Sequence, residues 1–541
     1  MSGVQERTQN RTNSPERPVR VVTESGVVVG AADGEIARFL GIPYAEPPTG
    51  ALRFRAPQPA SPWKGELDAT CFGAAAAQYF DPFEVDREEI GDSPKSDAPF
   101  VGDEDCLTLN VWAPAASQPD RPVIIWIHGG ANWLESSRLS IYHGDAFAAS
   151  GVVFVSLNYR LGPFGFLDLT VLSGADDGHK GSSSNGLKDQ LMALEWIKAN
   201  ISAFGGDPEN ITLMGESAGS MDIGWLLTTG RLDHLVHRLV LMSGVASVPA
   251  YGHSEDTSPY RAEAGRTRAR LFFEDLNIQS MSELQNLDTA SLLGRLADAV
   301  PDRDMLFHWD SLFYPCIDGE FLKTDPLNWV AQGHSSNIDI VVGFTAYEMG
   351  LWLLWDPELD KLTPAELSAR LSWMPRNRQS ALSEFYEQMP TGQPGSPGMT
   401  MLGDAMFAMP SLYLAEAHSR AGGKAWVYEF SWQIPQSPYL AAHAADLPFF
   451  FDTFQATGAI ALIGKPLNAS DEAERQSLKQ SMHGALIEFA SRSDPGENWP
   501  EYDVQSRSLM RFDVDCSVLD DPYAIRREWW GQQVYNQIVG P

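Results

Sequence analysis

The nine residues Ile211-Thr212-Leu213-Met214-Gly215-Glu216-Ser217-Ala218-Gly219 decide the reading of the whole chain. Four residues of strand character run into G-x-S-x-G, and sequence compatible with a helix follows over residues 218–227. A serine hydroxyl is a weak nucleophile until a base takes its proton and the backbone presents it sharply. Small residues on either side permit a strained strand-to-helix turn that lifts the hydroxyl above the edge of a sheet. In a chain with 46 glycines the pentapeptide can arise by chance, so its weight comes from the strand before it and the helix after it. Ser217 is therefore the candidate nucleophile, set against the plainer reading of an ordinary strand-helix turn.

Outward from this turn, the chain alternates between strand-sized apolar runs and helical patterns. Residues 186–203 carry Leu187, Leu191, Leu194, Ile197 and Ile201 at helical spacing. Runs at 107–112, 122–127, 152–157, 239–242, 338–342 and 425–430 read as buried strands. That alternation predicts an α/β protein with a mixed, mostly parallel central sheet flanked by helices. Residues 21–29, broken by Ser25-Gly26, predict an early antiparallel hairpin, and residues 41–44 and 47–50 predict turns. Residues 1–18 read as a disordered tail and 19–541 as one catalytic domain. Helical insertions near 256–310 and 355–420 would lie over the site, with residues 390–398 as a loop between helices.

A nucleophilic serine needs donors for the oxyanion, a base, and an acid to orient the base. The N–H of Ala218 is one candidate donor. His128-Gly129-Gly130-Ala131 follows the apolar run at 123–127 and offers further donors at Gly130 and Ala131, unless it is simply a glycine turn. In folds with this elbow the order along the chain is serine, acid, histidine. Among the histidines beyond a plausible acid, His418 and His483 lie in helical patterns with polar neighbours and read as exposed. His443 lies in a non-periodic, alanine-rich loop before Asp446-Leu447-Pro448 and leads as the base. Glu348, a few residues after the run at 338–342, is the candidate acid or else a solvated loop carboxylate. Asp339 falls inside that strand and would point badly. Trp133 and Trp225, near the glycine turn and the elbow in sequence, are candidate pocket residues, with core packing favoured for Trp225.

Composition narrows the class further. The 541 residues are 43% hydrophobic and 20% charged, which fits a globular protein and excludes wholesale disorder. Asp plus Glu number 71 against 39 Lys plus Arg, a formal charge of −32, which disfavours nucleic acid and anionic lipid as partners. The four cysteines, Cys71, Cys106, Cys316 and Cys516, are spread widely and form neither a disulfide framework nor a zinc pattern. The first twenty residues lack an apolar signal-peptide core, and no run approaches the ~18 residues of a membrane span. A cytoplasmic protein is expected, with no metal and no organic cofactor, since HExxH, a post-strand GxGxxG and a P-loop are all absent.

Several long motifs, in order, resemble the type-B carboxylesterase family, whose fold is the α/β-hydrolase fold and which includes bacterial p-nitrobenzyl esterases. They are Gly41-Ile42-Pro43-Tyr44-Ala45 with Leu52-Arg53-Phe54, Glu104-Asp105-Cys106-Leu107-Thr108-Leu109-Asn110-Val111, Asn158-Tyr159-Arg160-Leu161-Gly162, and Phe204-Gly205-Gly206-Asp207-Pro208 ahead of the elbow. The resemblance spans about residues 20–515. It implies Ser217, Glu348 and His443 as a triad, with Gly130, Ala131 and Ala218 as the oxyanion hole and Gly129 allowing close approach. Glu348 holds the place of the family's G-x-x-x-x-E and His443 that of its H-x-x-D-L-P-F. Glu216 and Ser243 fall at positions that support the triad in the family, or play plain structural roles.

Two departures stand out. Where the family places the disulfide partner of the Glu-Asp-Cys cysteine, this chain has Ala76, so Cys106 lacks that partner and free thiols are expected. Residues 78–103 contain no tryptophan, which argues against a cholinesterase. The activity implied is hydrolysis of small-molecule carboxylic esters through an acyl-enzyme on Ser217. An amide or carbamate hydrolase with the same triad is the alternative, and a non-catalytic adhesion-type member a remote one.

Overall fold

β-Branched and aromatic residues crowd the middle strands because both faces of the sheet are covered. In the computed structural model, which describes residues 17–79, 89, 100–116, 118–246, 260–299, 313–370, 376–389 and 395–539, β8 (Arg121–Ile127) is buried from Val123 onward. Its Val123, Ile125 and Ile127 join the core on one face of the sheet, while Ile124 and Trp126 join the core on the other. The same alternation holds in β9 (Val153–Leu157) and β11 (Arg238–Met242). A period of two with apolar residues at both phases is what produces two cores from one strand.

The sheet begins with β1 (Arg17–Thr23), β2 (Gly26–Asp33), β3 (Ile36–Pro43) and β7 (Thr108–Pro114), with β4 (Glu66–Asp68) pairing beside β2. It continues through β9, β8, β10 (Gly206–Glu216), β11, β12 (Asp339–Thr345), β13 (Ala425–Phe430) and β14 (Ser508–Phe512) to β15 (Ser517–Asp520). From β9 to β14 every neighbouring pair is parallel, and the flanks are antiparallel apart from the short parallel pair of β4 with β2. A small separate ladder pairs β5 (Gln78–Tyr79) with β6 (Phe100–Val101).

The hairpin expected at 21–29 is the β1–β2 pair, in which Arg17 and Pro18 face Ala32 and Ala31; residues 1–16 of the expected tail lie outside the described residues. The expected turn at 41–44 instead closes β3, because Ile42 and Pro43 pair with Leu109 and Thr108 across an irregularity in the ladder. The insertions are helical where described, with Ala262–Asp275, Met281–Asn286 and Thr289–Ala299 in the first. The second carries Pro364–Arg370, Arg376–Gln388, Pro397–Gly403 and Met409–Arg420. Residues 256–259, 300–310, 371–375 and 390–394 of these regions lie outside the described residues. Among the described residues no helix is long and apolar enough to cross a membrane.

Two helices matter for the site. Helix Asn185–Asn200 leads into β10, and helix Ala218–Leu227 leaves it with all ten of its residues buried. A buried ion pair ties the first to the loop after β9: Arg160 Nε and Nη2 donate to Asp189 at 2.8 and 2.6 Å. The Arg160 backbone N–H also donates to Asp189, at 3.1 Å, and Nη1 donates to the Arg55 carbonyl. With both side chains almost fully buried, removing one partner strands the other's charge, which costs ~3–5 kcal/mol. Asp189→Ala is therefore expected to lower the thermal unfolding midpoint by several degrees and to cut the yield of folded protein, as read by differential scanning fluorimetry. An unchanged midpoint would show that Arg160 finds another route to charge compensation.

Candidate active site

The turn at Ser217 is held by glycines that admit contacts no side chain would permit. Ser217 adopts φ 51° and ψ −123°, between the last residue of β10 and the first of helix Ala218–Leu227. A Cβ on Gly215 would stand 2.7 Å from the Gly219 carbonyl carbon, and one on Gly219 would stand 2.3 Å from the Ile127 oxygen and 2.6 Å from that of His128. A Cβ on Gly244 would stand 2.2 Å from the Ser217 oxygen. The Ser217 N–H donates to Met242 at the end of β11. A non-glycine residue at positive φ costs about 1–3 kcal/mol, which these surrounding contacts offset.

Opposite the serine lies the turn after β8. Gly130, Ala131 and Asn132 have φ of 81°, 52° and 60°, and the Gly130 carbonyl accepts from both Trp133 and Leu134. Gly129 comes so near that a Cβ there would stand 3.2 Å from the Ser217 Cβ and 2.9 Å from Glu216 Oε2. Among the described residues, the N–H groups of Gly130, Ala131 and Ala218 donate no hydrogen bond. Such donors, fixed in place and unspent, suit a developing negative charge.

His443 enters from the loop after β13. Its Nδ1 lies 2.6 Å from Glu348 Oε2, while Glu348 Oε1 accepts from the Thr345 N–H at 2.7 Å. A second link runs from the His443 N–H to the Glu348 carbonyl. The other ring nitrogen, Nε2, is 3.0 Å from Oε1 of Glu216, the residue just before Ser217, so the ring is directed at the Glu216-Ser217 turn. Glu216 Oε1 makes no hydrogen bond, so this is an ionic approach without an aligned N–H. The rings of Phe407 and Trp352 flank the imidazole at 4.7 and 5.2 Å between centroids.

Burial disfavours the charged form of His443, but Glu216 and then Glu348 outweigh it and lift the ring to about 9. Burial also pushes the Glu216 carboxyl well above its ordinary range, against the pull of His443. Asp446, three residues beyond His443, is raised by burial to about 6 while Tyr428 donates to it at 2.7 Å. Glu135, beyond the glycine turn at φ 76°, is raised by burial to about 7 and accepts from Tyr142 at 2.7 Å. The imidazole thus sits in a nest of acidic groups.

The structure brings Ser217, His443, Glu348, Glu216, Gly129, Gly130, Ala131 and Ala218 together. Ser243, at φ 44°, is buried one residue from the Gly244 contact and donates its N–H to Gly343. Trp133 is stacked between Tyr79 and Phe313 next to the glycine turn. Trp225 lies at the far end of the serine helix against Tyr260, 4.8 Å away, as core packing. His418 is not exposed: its helix, Met409–Arg420, is buried from Met409 through His418, and Nε2 lies 3.0 Å from the Ile338 carbonyl. His483 is half-buried between the Phe450 carbonyl and Ser150, so it too differs from the exposed residue expected. All four cysteines are unpaired.

Sequence reasoning missed Trp352, Phe407, Glu135, Asn132 and Asp222. Trp352 could have been found, since it follows Glu348 by four residues in the helical stretch Glu348–Leu354. Asp222 is a lone carboxyl in a largely apolar helix. Phe407 had no local signal, because it reaches the site from a π-helical turn, Asp404–Ala408, in a distant insertion.

A mostly parallel sheet, a nucleophile elbow at the end of a central strand and a histidine on a post-strand loop define an α/β-hydrolase. The sequence profile of the carboxylesterase family matches residues 17–529, and the chain belongs to that family, as a carboxylic-ester hydrolase. It is 32% identical to the para-nitrobenzyl esterase of Bacillus subtilis, over 94% of this chain and 97% of that one. It is 30% identical to the phenmedipham hydrolase of Pseudarthrobacter oxydans, over 91% and 94%. The Geobacillus stearothermophilus carboxylesterase EST55 superposes with a TM-score of 0.78 at 31% identity, covering 94% of this chain and 99% of that chain.

Because Glu216 raises His443, Glu216→Gln is expected to lower the pKa of the ring. The neutral imidazole then persists to lower pH, and the acidic limb of the kcat/KM profile moves down. A limb that stays in place or moves up would remove Glu216 from the control of His443.

Proposed function

We propose that the protein hydrolyses carboxylic esters through an acyl-enzyme on Ser217, with His443 as general base and acid and Glu348 as its orienting partner. The observation that carries this reading is the imidazole held at 2.6 Å by Glu348 through Nδ1, with Nε2 turned toward the Glu216-Ser217 turn. His443 takes the Ser217 proton as Oγ bonds to the ester carbonyl carbon, and the carbonyl oxygen becomes an oxyanion on the N–H groups of Gly130, Ala131 and Ala218. Collapse breaks the bond to the alcohol oxygen, which leaves with the proton from His443. Water then attacks the acyl carbon by the same route, giving up a proton to His443. The tetrahedral intermediate breaks to free acid, and the proton returns to Ser217.

Residues 19–541 form, on this reading, one catalytic domain, since the insertion at 355–420 supplies Phe407 beside His443. Trp133, buried in its aromatic stack beside the glycine turn, would back the acyl pocket. We place the protein in the cytoplasm, where unpaired Cys71, Cys106, Cys316 and Cys516 stay reduced. Nitrobenzyl esters are the first substrates to try, given the relative named for them. Amides and carbamates are the second reading, because the same groups serve any acyl transfer.

A fluorophosphonate probe is expected to add its mass to Ser217, and Ser217→Ala to lower kcat by roughly 10⁵–10⁶-fold. Full turnover by Ser217→Ala would rule out the covalent route. In a parallel assay of p-nitrophenyl acyl esters, aryl amides and aryl carbamates, the esters are expected to give the highest kcat/KM. A carbamate or amide in first place would favour the second reading.

A further inference from the structure

The helix that carries Ser217 holds, five residues on, a buried carboxyl that the acyl-transfer scheme does not use. Asp222 is fully buried, and both groups that bond to it are side-chain amides. Gln190 Nε2, from helix Asn185–Asn200, donates to Oδ2 at 2.6 Å, and Asn132 Nδ2 donates to Oδ1 at 3.2 Å. Burying a carboxyl among amides is costly, and an apolar residue would serve better in this helix, where Ser220 is the one other polar side chain. Burial also lifts its pKa to about 7.

What Asp222 touches explains its place. Asn132 is the last of the three consecutive residues at positive φ, after Gly130 and Ala131, and two of the three are not glycine. Unrestrained, such residues relax toward ordinary backbone regions and rotate the intervening peptides, turning their N–H groups away. Asn132 is held through both side-chain polar atoms and its carbonyl. Its Oδ1 lies 3.4 Å from the Tyr159 hydroxyl, its carbonyl accepts from Gly162 at 2.7 Å, and Nδ2 also approaches the Phe313 carbonyl at 3.5 Å. The bond to Asp222 is the shortest its side chain makes, and the only one of these to reach the helix that begins at Ala218.

We propose that Asp222 is a positioning residue for ester hydrolysis, holding Asn132 and, through it, the N–H groups of Gly130 and Ala131 in register with Ser217 and Ala218. This rests on the reading of Ser217 as nucleophile. Through one hydrogen bond, the two halves of the oxyanion site, on different elements, become one unit. An interaction of this kind acts on the transition state more than on the bound ester, so its loss falls on kcat and spares KM.

The test measures kcat and KM on p-nitrophenyl acetate per Ser217 titrated with a fluorophosphonate, and the affinity of a trifluoromethyl ketone. Asp222→Ala and Asn132→Gly are each expected to lower kcat about ten- to hundredfold, with KM within about threefold. Ketone affinity should fall with kcat. Asp222→Asn should keep most of the activity, because it retains an acceptor for Asn132 and the unpartnered Gln190 Oε1 can turn to accept its new N–H. In the double variant the two losses should not multiply. Unchanged kcat per titrated site in Asp222→Ala, or fully multiplicative losses in the double variant, overturns the proposal. A fall confined to thermal stability or to the number of titratable sites does so too. If Asp222→Ala does not accumulate, Asn132→Gly and Asp222→Asn decide, and equal losses in the two would overturn the proposal. Absence of labelling at Ser217 in the unaltered protein brings down the reading of the nucleophile as well, whereas full labelling with unchanged turnover removes only the role of Asp222.

Discussion

Helix Ala218–Leu227 meets the end of β8 backbone to backbone, and the rest of the site is arranged around that contact. Gly219 faces the carbonyls of Ile127 and His128 at a distance that excludes even one methyl group. Because β8 and β10 are neighbours in the sheet, the contact fixes where Ser217 stands relative to the turn at Gly129 and Gly130. The strained backbone at Ser217 and the left-handed turn at 130–132 are stored on two adjacent strand ends, each held against the other. A fold that placed either on a free loop would let both relax.

Around this frame the electrostatics are one-sided. Glu348 and Glu216 approach opposite nitrogens of one imidazole, with Asp446 and Glu135 further out, and together they favour the protonated ring despite its burial. A proton on His443 is therefore held at the ring despite the burial that works against it. The turn at 130–132 and the Ala218 N–H offer uncharged donors instead, so attraction for an oxyanion there would come from dipoles rather than from a cation.

Much of this was legible because it is local. The elbow, the strand before it and the helix after it are contiguous, and alternating apolar phases announce the central strands before any pairing is known. Glu348 and His443 were readable as post-strand loop residues, since their positions depend only on where β12 and β13 end. The side chains that come from elsewhere were not readable. Phe407 arrives through a π-helical turn in an insertion, and His418 was misjudged because burial on all sides erases the amphipathic pattern that marks an exposed face. The end of β3, residues 41–43, reads as a turn because Gly41 and Pro43 are turn residues by composition, and only pairing with β7 overrides that local preference.

The acidic nest has a bearing on how a catalytic cycle ends. On the reading proposed above, ester hydrolysis turns a neutral molecule into an anion that is released beside Glu135, Glu216, Glu348 and Asp446. A neutral ester meets little opposition from these groups, whereas a carboxylate meets like charge from whatever fraction of Asp446 and Glu135 is ionised, a repulsion that grows as pH rises through about 6 and 7. The reverse condensation meets a further cost, because an incoming carboxylate must first be stripped of water. With a net charge of −32 on the whole molecule, charge of that sign extends beyond the site and opposes the return of a released anion from solution.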